Sequence, residues 1–351
     1  MSDAAQERLQ ALWSRGKDFL GTEHAILGGA MSWVSERHLV AAISLAGGFG
    51  VIACGSMTPD LLAAEIDGTR AVMDESSGKA DGSGRMPFGV NLITMHPDLD
   101  TLIDVCLEKD VSHVVLAGGL PSAKAIRRIK DGGAKVVCFA PALILAKKMI
   151  RSGADALVIE GAEAGGHIGP VATSVLAQEI LPQITDVPVF VAGGIGRGEA
   201  ILSYLEMGAA GCQIGTRFVC ATESIAHPNF KKAFIKAGAR DAVPTVQLDP
   251  QFPVIPVRAI QNTGTKHFMD TQRAVIARFQ AGELDKKEAQ LEIEHFWAGA
   301  LRRAVIDGDV ENGSLMAGQC VGLVTQEEPT AAILEDLIGQ ALAALRKRAA
   351  G

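Results

Sequence analysis

The run Ala156-Leu157-Val158-Ile159-Glu160-Gly161-Ala162-Glu163-Ala164-Gly165-Gly166-His167-Ile168-Gly169 joins a short apolar segment to a glycine-rich loop that carries a histidine. The apolar part does not alternate with polar residues, as expected of a parallel strand covered on both faces. The same unit recurs downstream. Pro188–Ala192 leads into Gly193-Gly194-Ile195, and Gly211–Ile214 leads into Gly215-Thr216-Arg217. Working outward, five more apolar runs precede these three, at Ala25–Leu27, Gly50–Ala53, Phe88–Leu92, His113–Leu116 and Lys135–Phe139. Amphipathic stretches separate them: Glu36–Ala46, Pro59–Met73, Asp98–Lys109, Ser122–Asp131, Ala142–Ser152, Val171–Leu181 and Glu199–Met207. Strand–helix repetition implies a parallel sheet. Eight strands, with glycine motifs at several successive strand ends, favour a closed (β/α)8 TIM barrel of the α/β class over a doubly wound open sheet.

The barrel reading assigns chemistry to the loops after the strands, because these gather on one face. Gly165 and Gly166 let backbone approach a flat ligand, and His167 can exchange a proton near neutral pH. The bland alternative for His167 is a surface histidine in a glycine turn. Gly193, Gly194, Gly215 and Thr216 follow the seventh and eighth strands, where barrels commonly hold phosphate with backbone N–H groups. Ordinary βα turns also favour glycine. After the first strand comes Gly28-Gly29-Ala30-Met31-Ser32-Trp33, and Asn91 at the third supplies both a donor and an acceptor. Gly313–Gln319 reads by itself as a loop.

From about Ser224 the repeat stops. The remainder reads as a barrel over 1–223, a helical cap over 224–311 with one long helix at Asp285–Asp307, and a returning segment over 312–351. Asp74–Arg85 and Pro244–Pro256 read as loops, the first of them mobile, and Pro329–Ala350 as an amphipathic helix.

Composition excludes several classes. A net charge of -7 argues against a general nucleic-acid binder. No apolar run is long enough for a membrane span, and the N-terminus lacks a signal-peptide core, so the expected location is cytoplasmic. Six scattered cysteines form no metal-ligand spacing and read as buried thiols.

Taken together, the four glycine-bearing motifs resemble the superfamily of nitronate monooxygenases and FabK-type enoyl-ACP reductases, from about Glu23 to about Leu337. In the C-terminal third the similarity is closer to FabK-type reductases, through Glu223–Asn229, Val257–Asn262 and Gly308–Gln319. The resemblance implies an FMN enzyme using NADH or NADPH. Gly29, Ala30 and Met31 would face the flavin ring, and Asn91 its polar edge. Glu160, Gly165 and Gly166 would line the cofactor, with Lys147 a conditional contact. Gly193, Gly194, Gly215 and Thr216 would hold the phosphate. Gly318 and Gln319 would fold back over the ring, and His167 would be catalytic. The implied activity is reduction of an enoyl thioester in fatty-acid synthesis, with nitronate oxidation by O2 as the alternative. The implied substrate is a small molecule or is bound to acyl carrier protein, and the implied assembly is a homodimer. Three departures stand out, one being a Leu116–Ser122 turn shorter than in the relatives. Gly28 occupies a position where relatives often carry glutamine, and the Asp74–Arg85 segment is longer than theirs.

Overall fold

A computed structural model describes residues 3–79, 82, 84–249 and 255–349. The strands, in chain order, are β1 (Ile26–Gly28), β2 (Gly50–Ala53), β3 (Phe88–Ile93), β4 (His113–Ala117), β5 (Lys135–Phe139), β6 (Ala156–Glu160), β7 (Gly166–His167), β8 (Val189–Ala192), β9 (Gly211–Ile214), β10 (Ala242–Pro244) and β11 (Val257–Ile260). The helices are α1 (Ala4–Leu20), α2 (Arg37–Leu45), α3 (Pro59–Ser77), α4 (Leu99–Glu108), α5 (Ala123–Asp131), α6 (Leu143–Arg151), α7 (Thr173–Ile180), α8 (Gly198–Glu206), α9 (Pro228–Lys236), α10 (Thr263–Gln280), α11 (Lys286–Val305) and α12 (Thr330–Ala349).

Eight strands run parallel in the order β1-β9-β8-β6-β5-β4-β3-β2. The sheet closes where Leu27 bridges Phe49, with Gly28 N donating to Phe49 O and Phe49 N to Ile26 O, both at 2.9 Å. This is the TIM barrel expected from the apolar runs, each of which falls within about a residue of an observed strand. Local chemistry fixes the helix starts. Thr58 caps α3 ahead of Pro59, and Ser122 accepts from Ala125 N at the head of α5.

Helix α1 stops the lower end of the barrel. The Phe19 ring near its end lies 5.0 Å from His113 on β4 and 6.2 Å from Phe190 on β8, two strands separated by β5 and β6 in the sheet. Phe49 stacks edge-on against His113 at 4.8 Å. These contacts identify the interior face. Residues two apart on a strand share a face, so the positions above His113 and Phe190 also point inward.

Beyond the barrel, β7, β11 and β10 form a small antiparallel sheet on the catalytic face. Helices α10 and α11 pack on it around a separate apolar cluster of Phe268, Val275, Ile293 and Trp297. Helix α10 is an addition to the sequence reading, which placed one long helix in this region. The Asp74–Arg85 expectation is corrected in part. Helix α3 continues to Ser77 and ends at Gly78 with φ +66°, and Arg85 pairs with Asp74 at 2.6 Å. Residues 80, 81 and 83, and 250–254 of the Pro244–Pro256 segment, lie outside the described residues. Helix α12 returns to the barrel so closely that a Cβ on Gly198 of α8 would stand 1.9 Å from Leu337 O. All six cysteines are buried thiols. No helix among the described residues is long and apolar enough to cross a membrane.

Candidate active site

Three polar side chains point into the upper end of the barrel. A Cβ on Gly89 would meet the Phe49 ring at 3.0 Å, so Gly89 faces inward and Asn91 does too. Phe190 faces inward, so Ala192 does, together with its register partners Glu160 and Gln213. Asn91 Nδ2 donates to Val115 O at 3.1 Å, which leaves its Oδ1 unengaged. Gln213 is 8% exposed, and its amide has no hydrogen-bond partner among the described residues. Glu160 is alone in the same sense. Burial pushes its carboxyl up to about 8, and no neighbouring charge or hydrogen bond contributes. Asn91 and Gln213 are buried and Glu160 is half-buried, and polar groups in such places are normally satisfied, so spare hydrogen-bonding capacity on all three fits a ligand with its own donors and acceptors.

The loop after β1 forms one wall. Gly29 N donates to Ile214 O at 2.8 Å, and Ser35 Oγ donates to Gly29 O while accepting from Met31 N. This draws Gly29 to the β9 loop, where an added Cβ would stand 3.3 Å from Gly215 Cα. The Met31 sulfur lies 3.5 Å from where a Gly215 Cβ would be, and Ala30 is half-buried beside it. Trp33 holds φ +66°, with its indole N–H buried and unpartnered. The Arg302 guanidinium of α11 sits 5.9 Å above its ring.

The β8 and β9 loops continue this wall, since β9 pairs with β1 and β8 with β9. Gly193 and Gly194 adopt φ +98° and +74°, a region that favours glycine. Among the described residues the amides of Gly193, Gly194 and Gly215 donate to no backbone carbonyl. A cluster of free N–H groups after the last two barrel strands fits a phosphate. Thr216 is buried, and its hydroxyl accepts from Gly318 N at 3.0 Å.

The glycine loop after β6 is tied on three sides. Glu163 accepts from Thr173 N and Oγ1 at 2.6 and 2.7 Å and so caps α7, whose own N-cap residue is alanine. The buried Arg258 guanidinium donates to Ala162 O and Ala242 O. Gln319 N donates to Glu163 O at 2.9 Å. Gly165 fits because a Cβ there would be 2.6 Å from Ala317 C and Gly318 N. The Gly313–Gln319 segment therefore roofs this loop, which its sequence alone did not reveal. His167 is exposed and pairs with Val257 across the small sheet.

The structure thus brings together Gly29, Met31, Gly215, Thr216 and Gly318 on one side and Glu160, Gly165 and Gly166 on another, with Asn91 across the hollow. Lys147 differs, being exposed along α6 with no hydrogen bond to the other candidates. Gln213, which faces the same interior, and Arg258, which ties the loop, were not singled out from the sequence. Each is a lone polar residue inside an apolar run, which was the available signal. Two surface clefts of about 560 and 370 Å3 lie elsewhere, one beside α2 and α3, the other at the lower ends of β3 and β4. Neither contains a candidate residue.

The architecture has known counterparts. A family model described as nitronate monooxygenase matches residues 14–340. FabK from Thermotoga maritima superposes with a TM-score of 0.82 at 36% identity, covering 96% of this chain and 98% of its own. Nitroalkane oxidase from Streptomyces ansochromogenes superposes with a TM-score of 0.73 at 25% identity, over 95% and 99%. Among curated proteins, the chain is 29% identical to a 5-hydroxy-7a-methyl-1-oxo-octahydro-1H-indene-4-carboxyl-CoA dehydrogenase of Mycobacterium tuberculosis. That match covers 95% of this chain and 97% of the relative.

Proposed function

Because the chain belongs to the nitronate monooxygenase family of oxidoreductases, we propose that it is an FMN-dependent reductase of enoyl thioesters, using NADH or NADPH. The observation that carries this reading is the likeness to FabK, which is stronger than the likeness to nitroalkane oxidase and runs through the α10–α11 cap as well as the barrel. A CoA thioester in the name of a curated relative points the same way. So does the rim of the catalytic face. Met95 and Leu120, in the connections after β3 and β4, and Ile144, in the first turn of α6, are 52%, 50% and 78% exposed and offer apolar surface to an acyl chain.

When bound, FMN would supply the two-electron chemistry between nicotinamide and the enoyl group. The chain's own residues bind and orient. Backbone N–H groups of Gly193, Gly194 and Gly215, with the Thr216 hydroxyl, would hold the phosphate. Gly29–Met31 and Gly165–Gly166 would face the ring, Asn91 and Gln213 would read its polar edge, and Gly318–Gln319 would exclude water above. His167 would hold or deliver a proton at the thioester carbonyl. Lys147 is exposed along α6, and the proposed site does not depend on it. For a carrier-protein partner, Lys232, Lys236 and Arg240 remain exposed. Lys231, in the same stretch, offers no free cation, because it is 5% exposed and its Nζ donates to Ala221 O and Glu327.

The test is anaerobic mixing of the purified protein with NADH or NADPH, then with crotonyl-CoA. Bleaching of the flavin band by a nicotinamide, with recovery on adding the thioester, supports the reductase. Bleaching by an alkyl nitronate and by neither nicotinamide moves the assignment to nitronate oxidation, which the family model's description favours. Replacing His167 with alanine should lower turnover by about a hundredfold or more, the usual scale for a positioned acid or base, with thermal stability unchanged. Full turnover in that variant would remove His167 from the chemistry.

A further inference from the structure

Glu160 ends β6, faces the interior beside Ala192, and has no partner among the described residues. We infer that Glu160 serves as a neutral carboxylic acid, donating its proton in a hydrogen bond to an acceptor atom of the ring held against Gly29–Met31. This inference rests on the flavin reading above and adds to it the protonation state the site requires.

The surroundings support an acid over a carboxylate. Facing positions on the flanking strands are apolar or neutral, Val158 and Ala192 below and beside it and Gln213 beyond. The two charged side chains that tie the glycine loop are engaged. Glu163 is held by Thr173, and Arg258 donates to the Ala162 and Ala242 carbonyls. His167 is exposed at the far end of the loop, and Lys135 of β5 lies at the barrel's opposite end, bound to Phe19 O. None of them contributes to the upward displacement of the Glu160 carboxyl, whose cause is burial alone. With its pKa raised to about 8, the carboxyl favours its protonated form at pH 7. An unpaired carboxylate there would carry a desolvation cost with no cation to offset it. A neutral acid needs only an acceptor, and its proton needs somewhere to point.

The consequence is a pH-dependent affinity. If the ligand binds the acid form, its dissociation constant rises about tenfold per pH unit once the pH exceeds the carboxyl's own value. The experiment follows FMN binding to the flavin-stripped full chain by fluorescence quenching from about pH 7 to about pH 9.5. Wild type is compared with Glu160→Gln and Glu160→Ala. Titrations of FMN itself are common to all three and cancel in the ratios. The expected result is that wild-type affinity falls about tenfold or more across this range relative to Glu160→Gln, which keeps a donor at every pH. Glu160→Gln should match wild type at pH 7, and Glu160→Ala should be weaker there by about tenfold, a typical loss for one buried hydrogen bond. Infrared spectra of the unliganded chain give a readout free of FMN. A neutral-acid carbonyl band should be present at pH 7, fade with rising pH, and be missing in Glu160→Gln. A flat wild-type ratio, a Gln variant as weak as the Ala variant, or absence of the band would overturn the inference while leaving the flavin reading intact. If FMN binds none of the three at any pH, both fall together.

Discussion

The lower and upper ends of the barrel are built from the same strands and treat polar groups in opposite ways. Below, His113 is 3% exposed between the Phe19 and Phe49 rings, and both its nitrogens are engaged, one with Phe19 O at 3.0 Å and the other with Ser112 Oγ at 2.9 Å. Above, Asn91, Glu160 and Gln213 face a hollow with hydrogen-bonding capacity left over. One end is complete as a protein, whereas the other is completed by something the chain does not encode. Polar residues in a barrel interior thus mark a site only when their partners are missing.

The contrast can be tested from both ends. The largest effect belongs to the lower end. Phe190 is fully buried between α1 and the strands, so Phe190→Ala should cost about 3–5 kcal/mol in urea unfolding. Flavin affinity of the remaining folded protein should be unchanged. A large change in affinity with little change in stability would show that the two ends are not separable. A smaller effect comes from His113. Burial chiefly pushes its pKa down to about 4 from the ordinary 6.5, against a raising contribution from its bond to Phe19. The folded protein therefore takes that proton only near pH 4, whereas the unfolded chain takes it near 6.5. The stabilisation is complete above about pH 6.5 and is lost progressively as the pH falls toward 4, by up to about 3 kcal/mol. Stability curves of wild type and His113→Asn should have different slopes within that window and parallel slopes above it. The smallest effect is at the upper end. Gln213→Leu should leave unfolding within about 1 kcal/mol of wild type and weaken FMN binding by about tenfold. If instead it destabilises the free protein strongly, Gln213 belongs with the satisfied interior and the contrast loses one of its three residues.

The sequence revealed the barrel because strands covered on both faces are uninterrupted in character, as Val136–Cys138 and Leu157–Ile159 are. The cap was harder to read. Helix α10 centres its inner face on Gln272, 1% exposed, which accepts from Leu248 N and donates to Val246 O. A polar residue in the middle of the stripe hid the period that Phe268, Val275 and Ile276 otherwise keep. The polar end of α3 was hidden for a different reason, since exposed Asp, Glu and Ser suit a helix surface as well as a loop. Within the site, glycine positions were legible because close backbone approach leaves no alternative residue. The roof was not, since the fit of Gly165 against Ala317 and Gly318 joins residues far apart in the chain. Lys147 carried no local signal for its orientation, and only the placed helix showed it outward.

The roof also sets an order of events during synthesis. A chain leaving the ribosome has all eight barrel strands once Ile214 emerges, yet the amide of Gly318 that meets Thr216 and the amide of Gln319 that meets Glu163 are still to be translated. Until they arrive, Gly165 and Thr216 lie open to water. A ligand under that roof is enclosed only once Gly318 and Gln319 have been added, so products truncated before them should not retain what the finished protein holds.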